Sequence, residues 1–337
     1  MAEKAENRSI LAGDIGGTKT HLAIYTIRDG KLFAETKDIF PSRHYAGLEP
    51  VLEEFLTKRE RKIDGACFGV AGPVVEGQVE TPNLPWVLGA KRLAGVLNIP
   101  SVSLLNDLEA AAYGISTLEP QELVSLNEGA AAGRPANKAL IAAGTGLGEA
   151  LLYDDGRDYH PVASEGGHAD FAPRNEIEIG LLRYLIDRFG HVSYERVVSG
   201  PGLLNIYSFL KDTGRYEEPP WLKEKIAAAE DPTVAITQTA LSAQSGISVE
   251  ALNIFVSVYG AEAGNLALRA KALGGVYIGG GIAPKILEKL KDGTFMRAFV
   301  DKGRYTDFVS SIPVRVVLNE QTALQGAAYY GLFCSNG

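Results

Sequence analysis

The sequence predicts an α/β protein built as two similar lobes with a ligand cleft between them. Three observations carry this. A strand, a glycine turn and a second strand occur twice, in Ile10-Leu-Ala-Gly-Asp14-Ile-Gly16-Gly17-Thr18-Lys19-Thr-His-Leu22-Ala-Ile24-Tyr25 and in Leu140-Ile-Ala-Ala-Gly144-Thr145-Gly146-Leu-Gly148-Glu149-Ala-Leu151-Leu-Tyr153. An apolar strand running into glycine and proline also recurs, in the same order: Ala66-Cys-Phe-Gly69-Val-Ala-Gly72-Pro73 and Val276-Tyr-Ile-Gly279-Gly280-Gly281-Ile-Ala-Pro284. The length, 337 residues, suits two domains at about 150 residues each, with core enough to dispense with disulfide or metal staples.

In chain order, the apolar and β-branched residues after the first glycine turn have no helical period and read as strand. Asp29-Gly30 marks a turn, and Lys31 to Ile39 makes a third strand. Residues 40–47 read as loop. Leu48, Val51, Leu52, Phe55 and Leu56 fall at helical spacing and predict a helix from Leu48 to Lys58. Ile63 to Val70 is a short apolar strand. The prolines of Thr81-Pro-Asn83-Leu-Pro-Trp86 make 81–90 a broken loop. A helix from Ala90 to Leu97, a strand from Val102 to Leu105 and a helix from Leu108 to Tyr113 follow. Residues 126–138 read as a turn-rich connection, and 211–233, polar and proline-bearing, as a surface excursion. Ala251 to Lys271 predicts a helix with Leu252, Phe255, Val256, Tyr259, Ala263 and Leu266 on one stripe. Small residues from Thr322 to Leu332 predict a terminal helix. The smaller lobe is expected at 1–107, completed by a helix at about 319–337, and the larger at 108–318.

Composition excludes several classes. Lysine and arginine number 33 against 41 acidic residues, a net charge of -8. General nucleic-acid binding needs a basic face and is not expected; a small anion held by backbone N–H groups is compatible. Cys67 and Cys334 are too few for a disulfide framework or a cysteine zinc site. With a polar N-terminus that lacks a signal-peptide core, they point to a reducing cytoplasm. No apolar run approaches the roughly 18 residues of a membrane helix. Glycine is in excess, 38 residues, and the excess is clustered.

The glycine turns Asp14-Ile-Gly16-Gly17-Thr18 and Gly144-Thr145-Gly146 suit phosphate binding. Glycine lets successive N–H groups converge on an anion, Thr18 and Thr145 add hydroxyls, and Asp14 leads out of a strand where a carboxylate can hold Mg²⁺ directly or through water. Without a ligand the same turns would be plain hairpins. Two rival motifs fail. Gly13 to Thr20 nearly fits a P-loop, but Thr18 stands where glycine is required and a strand follows instead of a helix. Gly144-Thr-Gly146-Leu-Gly148-Glu149 lacks the last glycine of a dinucleotide fingerprint and also runs into a strand.

Asn106-Asp107 sits where a strand meets a helix. One of the two can cap the helix while the other points to the strand's C-terminal edge, where α/β ligands gather, as a base for a substrate hydroxyl. Glu165-Gly-Gly-His168, with Asp170, suits a polyol: Glu165 accepts from hydroxyls and His168 offers one donor and one acceptor. A metal reading with His160 lacks the further ligands that would complete a shell. Glu195 adds a third acceptor, or is a solvated helix-end charge.

Together these segments resemble the bacterial glucokinases of the hexokinase–actin-like ATPase superfamily. The matching residues are Asp14-Ile-Gly-Gly-Thr-Lys-Thr20, Leu105-Asn-Asp107, Ala143-Gly-Thr-Gly-Leu-Gly148, Ser164-Glu-Gly-Gly-His-Ala-Asp-Phe-Ala-Pro173, Glu195-Arg-Val-Val-Ser-Gly-Pro-Gly202 and Gly279-Gly-Gly-Ile-Ala-Pro284, in the family's order from about residue 10 to 332. The resemblance implies two ribonuclease-H-like (actin/hexokinase-type) lobes, each with a mixed sheet, and ATP-dependent phosphorylation of glucose at its 6-hydroxyl. It implies Asp107 as base and Asn106, Glu165, His168 and Glu195, with Asn83, on the sugar. Asp14 would serve Mg²⁺; Gly16, Gly17, Thr18, Lys19, Gly144, Thr145 and Gly146 would hold phosphates; Gly280 and Gly281 would lie along the adenosine. The cysteine-rich zinc motif of related kinases and repressors is missing, so no zinc is expected, and Ile10 leaves no room for a preceding helix-turn-helix. The family suggests a homodimer. Other readings are a kinase of another hexose or amino sugar, a non-catalytic sugar sensor, or a nucleotide-switched assembly protein. ADP or polyphosphate remains open as donor.

Overall fold

Residues 8–57, 62–130 and 135–334 are described by the computed structural model, whose chain divides into two units. One comprises Met1–Pro120, Tyr159–Ala163 and Asn319–Gly337, the other Gln121–Asp158 and Ser164–Leu318. Lys58 of the expected first helix and part of the 126–138 connection lie outside the described residues.

In the first unit the glycine-flanked apolar runs become β1 (Ile10–Ile15), β2 (Lys19–Arg28), β3 (Lys31–Pro41), β4 (Gly65–Val70), β5 (Gln78–Glu80), β6 (Val87–Gly89) and β7 (Val102–Asn106). The helices are α1 (Leu48–Thr57), α2 (Ala90–Leu97) and α3 (Asp107–Gly114). The main sheet has the order β3-β2-β1-β4-β7, with β1 antiparallel to β2 and parallel to β4, and β4 parallel to β7. Strand alternation sends Leu11 and Ile15 into a core with Phe55, Phe68 and Trp86. It sends Ala12 and Ala23 to the other face, with Cys67 and Ala110. The region 81–90 is not all loop. Val79 and Leu88 are buried and register opposite each other in the β5–β6 hairpin, and the two prolines stay in its turn.

The second sheet holds β8 (Leu123–Asn127), β9 (Lys138–Ala143), β10 (Leu147–Asp154), β11 (Tyr159–Ser164), β12 (Gly275–Gly279) and β13 (Val314–Val317); all but the edge strand β11, whose Tyr159–Ala163 group with the first unit, belong to the second unit. Their order is β11-β10-β9-β12-β13-β8. Again the first strand, β9, pairs antiparallel with the strand after the glycine turn and parallel with a later one, so the duplication seen in sequence is one topology built twice. The helices are α4 (Glu176–Phe189), α5 (Gly200–Asp212), α6 (Pro220–Ala228), α7 (Pro232–Leu241), α8 (Gly246–Ala270), α9 (Leu287–Lys291), α10 (Thr294–Val300) and α11 (Thr306–Ser310). Two expectations change here. The 211–233 segment is largely helical, because Pro220 and Pro232 occupy first-turn positions, where the missing N–H costs nothing. Helix α8 has no single apolar stripe; it is buried on most sides, with Gly260 and Gly264 admitting the backbone at Phe295 and Phe299 of α10.

The chain returns to the first unit as α12 (Thr322–Tyr329), whose Leu324, Ala327 and Ala328 complete the core around Ala12 and Ala110. Helices α3 and α12 touch backbone to backbone. A Cβ on Gly326 would run into the carbonyl of Ala110, and one on Gly114 into that of Thr322. Gly326→Ala is therefore expected to destabilise by about 1–3 kcal/mol, as overpacking does, although alanine is the better helix former by about 1 kcal/mol. An unchanged or raised denaturation midpoint would contradict this packing.

Candidate active site

In the first unit, the turn between β1 and β2 closes through the Gly16 N–H, which donates to the Lys19 carbonyl at 3.0 Å. Ser42, unremarked in the sequence, pins it. Its hydroxyl donates to the Gly16 carbonyl at 2.8 Å and pairs with the Thr20 hydroxyl at 3.0 Å, while its N–H donates to the Thr18 carbonyl at 3.0 Å. Thr18 and Lys19 are exposed. Gly17 is glycine because Asn83 lies on it: a Cβ there would stand 2.7 Å from the Asn83 Cβ. The loop carrying Asn83 is anchored by the buried Thr81 hydroxyl, which donates to the Leu84 carbonyl at 2.9 Å, and by the Trp86 indole, which donates to the Tyr45 carbonyl at 3.1 Å.

Gly69 of β4 lets α3 approach; a Cβ there would sit 2.9 Å from that of Ala110. The helix starts at Asp107 with Asn106 as its cap. The Asn106 Oδ1 accepts from the N–H groups of Leu108 (2.9 Å) and Glu109 (3.4 Å), and its Nδ2 donates to the Gly72 carbonyl at 3.1 Å. One amide hydrogen of Asn106 is left for a ligand. Capping thus falls to Asn106, while the Asp107 Oδ1 accepts from the adjoining Leu108 N–H at 2.9 Å. Burial, and secondly the charge of Asp107, push the Asp14 carboxyl up to about 6. The two acids therefore form one electrostatic unit.

In the second unit, the turn between β9 and β10 is closed by the Gly144 N–H donating to the Gly146 carbonyl at 2.8 Å, and Thr145 is exposed at its tip. Glu195 packs against this turn: its Oε2 accepts from the Leu147 N–H at 3.0 Å and lies where a Gly146 Cβ would go. The other carboxylate oxygen, Oε1, is 4.0 Å from His168 Nδ1, and Glu165 Oε2 is 4.0 Å from His168 Nε2. Glu165, His168 and Glu195 are thus brought together, with His168 in the middle. The glycines of Glu165-Gly-Gly-His168 serve packing. They admit the protein itself: Gly167 lies on the Leu147 carbonyl and Gly166 on the Glu149 carboxylate. Asp170 pairs instead with His191, at 2.7 Å. Gly280 and Gly281 are exposed after β12; Gly280 has φ +81° and lies on the Ala143 backbone. Among the described residues, no group of three or more His, Cys, Asp or Glu could hold a metal ion.

The family model for Glucokinase matches residues 11–332. A glucokinase of a Nostoc species is 43% identical over 334 residues, 95% of this chain and 97% of that protein. The crystal structure of a glucokinase from an Antarctic psychrotroph has a TM-score of 0.84 at 31% identity, covering 95% of this chain and 98% of that one. The glucokinase of Balamuthia mandrillaris, crystallised with glucose, shares the fold with a TM-score of 0.80 at 20% identity, covering 96% of this chain and 93% of that one. With a match that runs through both glycine turns, both strand–glycine echoes and the Glu165–His168 segment, the chain belongs to the glucokinase family.

Proposed function

We propose that this sugar kinase transfers the γ-phosphoryl group of ATP to the 6-hydroxyl of glucose. The observation that carries the reading is the trio of exposed Glu165 and His168 with half-buried Glu195, two carboxylates about one imidazole, a set of acceptors and donors made for a polyol. Asn83 and Asn106 are the further sugar ligands in this reading. Phosphoryl transfer passes through a loose transition state, so positioning and charge neutralisation dominate. The Gly16 and Gly144 N–H groups close their turns, the remaining N–H groups and hydroxyls at Gly17, Thr18, Thr145 and Gly146 hold the phosphates, and Gly280 and Gly281 lie along the adenosine. The trio aims the 6-hydroxyl, and Asp107 accepts its proton.

Mg²⁺ fits the residues present. Mg²⁺ is typically held by one or two carboxylates plus substrate phosphates, and Asp14 beside Asp107 is a partly buried acidic pair with charge to be neutralised. Asp14 would hold it, directly or through water, and it would supply charge neutralisation at the phosphates. No helix among the described residues is long and apolar enough to cross a membrane; we place the enzyme in the cytoplasm, as a homodimer.

The test is ADP release from Mg-ATP with glucose, fructose, mannose or N-acetylglucosamine. Glucose-dependent turnover well above the other sugars is expected. Turnover with another sugar alone would overturn the assignment of the trio, and none with any sugar would overturn the kinase reading.

A further inference from the structure

Beneath the sugar segment lies a polar cluster that the reaction does not use. Glu149 of β10 and Glu262 of α8 are both fully buried. Glu262 is well served: Arg269 donates to its Oε1 and Asn265 to its Oε2, the latter at 2.8 Å. Glu149 is not. Neither of its oxygens meets a hydrogen-bond donor, and the nearest cation, Arg269 Nη1, forms an ion pair with Oε2 at 3.5 Å. Opposite stands the Glu262 carboxyl. Two carboxylates are acceptors only, so they bond to each other only when one carries a proton.

The same residue holds the sugar segment at both ends. The Ser164 hydroxyl donates to the Glu149 carbonyl at 3.0 Å and accepts from the Gly166 N–H at 3.2 Å. The Glu149 side chain fills the space over Gly166, where a Cβ would be 3.0 Å from its carboxyl carbon. We propose that Glu149 is a positioning residue for the segment bearing Glu165 and His168: joined to Glu262 by one shared proton, it holds that segment in its glucose-binding geometry, and loss of the proton weakens glucose binding.

Burial first, and then the Glu262 charge, push the Glu149 carboxyl up to about 8, with Arg269 opposing. The other groups facing the pair are Tyr194 and Tyr259, both held well above the usual phenol range. Lys302, farther out, is influenced by Glu262, Arg269 and Arg174. Ionisation near pH 8 therefore leaves two buried carboxylates to one guanidinium, and the repulsion pushes Glu149 against Gly166. By linkage, glucose binding at that pH takes up a proton.

The proposal rests on the reading of Glu165 and His168 as glucose ligands, and the experiment separates the two. The glucose KM of the wild-type enzyme is expected to rise about fivefold or more between pH 7 and pH 9.5, the low end of ordinary site–site coupling, with a smaller change in kcat. Glu149→Gln, which keeps shape and a donor, is expected to flatten that rise. Calorimetry of glucose binding in buffers of different ionisation enthalpy should detect proton uptake at pH 8.5 in the wild type, and does not need the variant to fold. Stability offers a third readout. A carboxyl raised on folding makes the fold lose stability as pH climbs from its unfolded value to its folded one, so the wild-type melting point should fall across pH 5–8 more than that of Glu149→Gln. A flat wild-type KM, an equal rise in the variant, or no proton uptake would each overturn the proposal. If glucose is neither bound nor phosphorylated at any pH, the underlying reading of the trio fails instead.

Discussion

Asp107→Asn is expected to lower kcat by roughly 10²–10⁴, the usual contribution of a general base, while the KM for glucose stays within a few-fold. The geometry makes this a clean test. The helix cap is carried by Asn106, whose Oδ1 takes both the Leu108 and Glu109 N–H groups. The Asp107 Oδ1 accepts from the Leu108 N–H, and the Asn Oδ1 can keep that bond. The fold should survive, and only the proton acceptor is lost. Removing one negative charge also relieves Asp14, whose carboxyl is pushed up partly by Asp107, so any Mg²⁺ effect should appear separately in the Mg²⁺ dependence. Near-normal kcat would remove Asp107 from the mechanism; a collapse in thermal stability would mean that the residue is structural.

Glu195→Ala should affect both substrates. One carboxylate oxygen takes the Leu147 N–H next to the Gly144–Gly146 turn, and the other faces His168. A hydrogen bond to a charged group contributes about 1.5–3 kcal/mol, roughly a factor of 10 to 100. The KM for glucose should rise by that order, and the KM for ATP should rise with it, because Gly146 loses the group packed on it. His168→Ala, by contrast, should move the glucose KM alone. If Glu195→Ala leaves the ATP KM untouched, the carboxylate does not support the phosphate turn.

The duplicated glycine turns and their strands were legible because hairpin signals are local. So was a cap at Asn106-Asp107, since a strand running into a helix needs one, though not that Asn106 is the one that supplies it. Helix α4 was passed over, although Asn175 accepts from the Glu178 N–H at its start and an Asn three residues before a Glu is a readable signal. The roles of Gly166 and Gly167 were legible only as room, not as room for what: their neighbours Leu147 and Glu149 lie on a strand some twenty residues away. Glu149 was the least legible. A single acid in an apolar strand reads as an exception, and its partners Glu262 and Arg269 come more than a hundred residues later, on a helix whose burial on most sides hides any periodic stripe.

The seam between α3 and α12 bears on how the enzyme is made. A ribosome delivers the chain in order, and all strands of the first unit's main sheet have emerged with β7, at Asn106. Ala12, Ala23 and Ala110 then wait more than 200 residues for Leu324, Ala327 and Ala328 to cover them. The second unit is delivered whole in the meantime, so it can fold first. The helix that begins with Asp107 is seated only when Gly326 slides against Ala110, so a nascent chain completes the seat of Asp107 last, after the segments bearing Glu165, His168 and Glu195 have all been delivered.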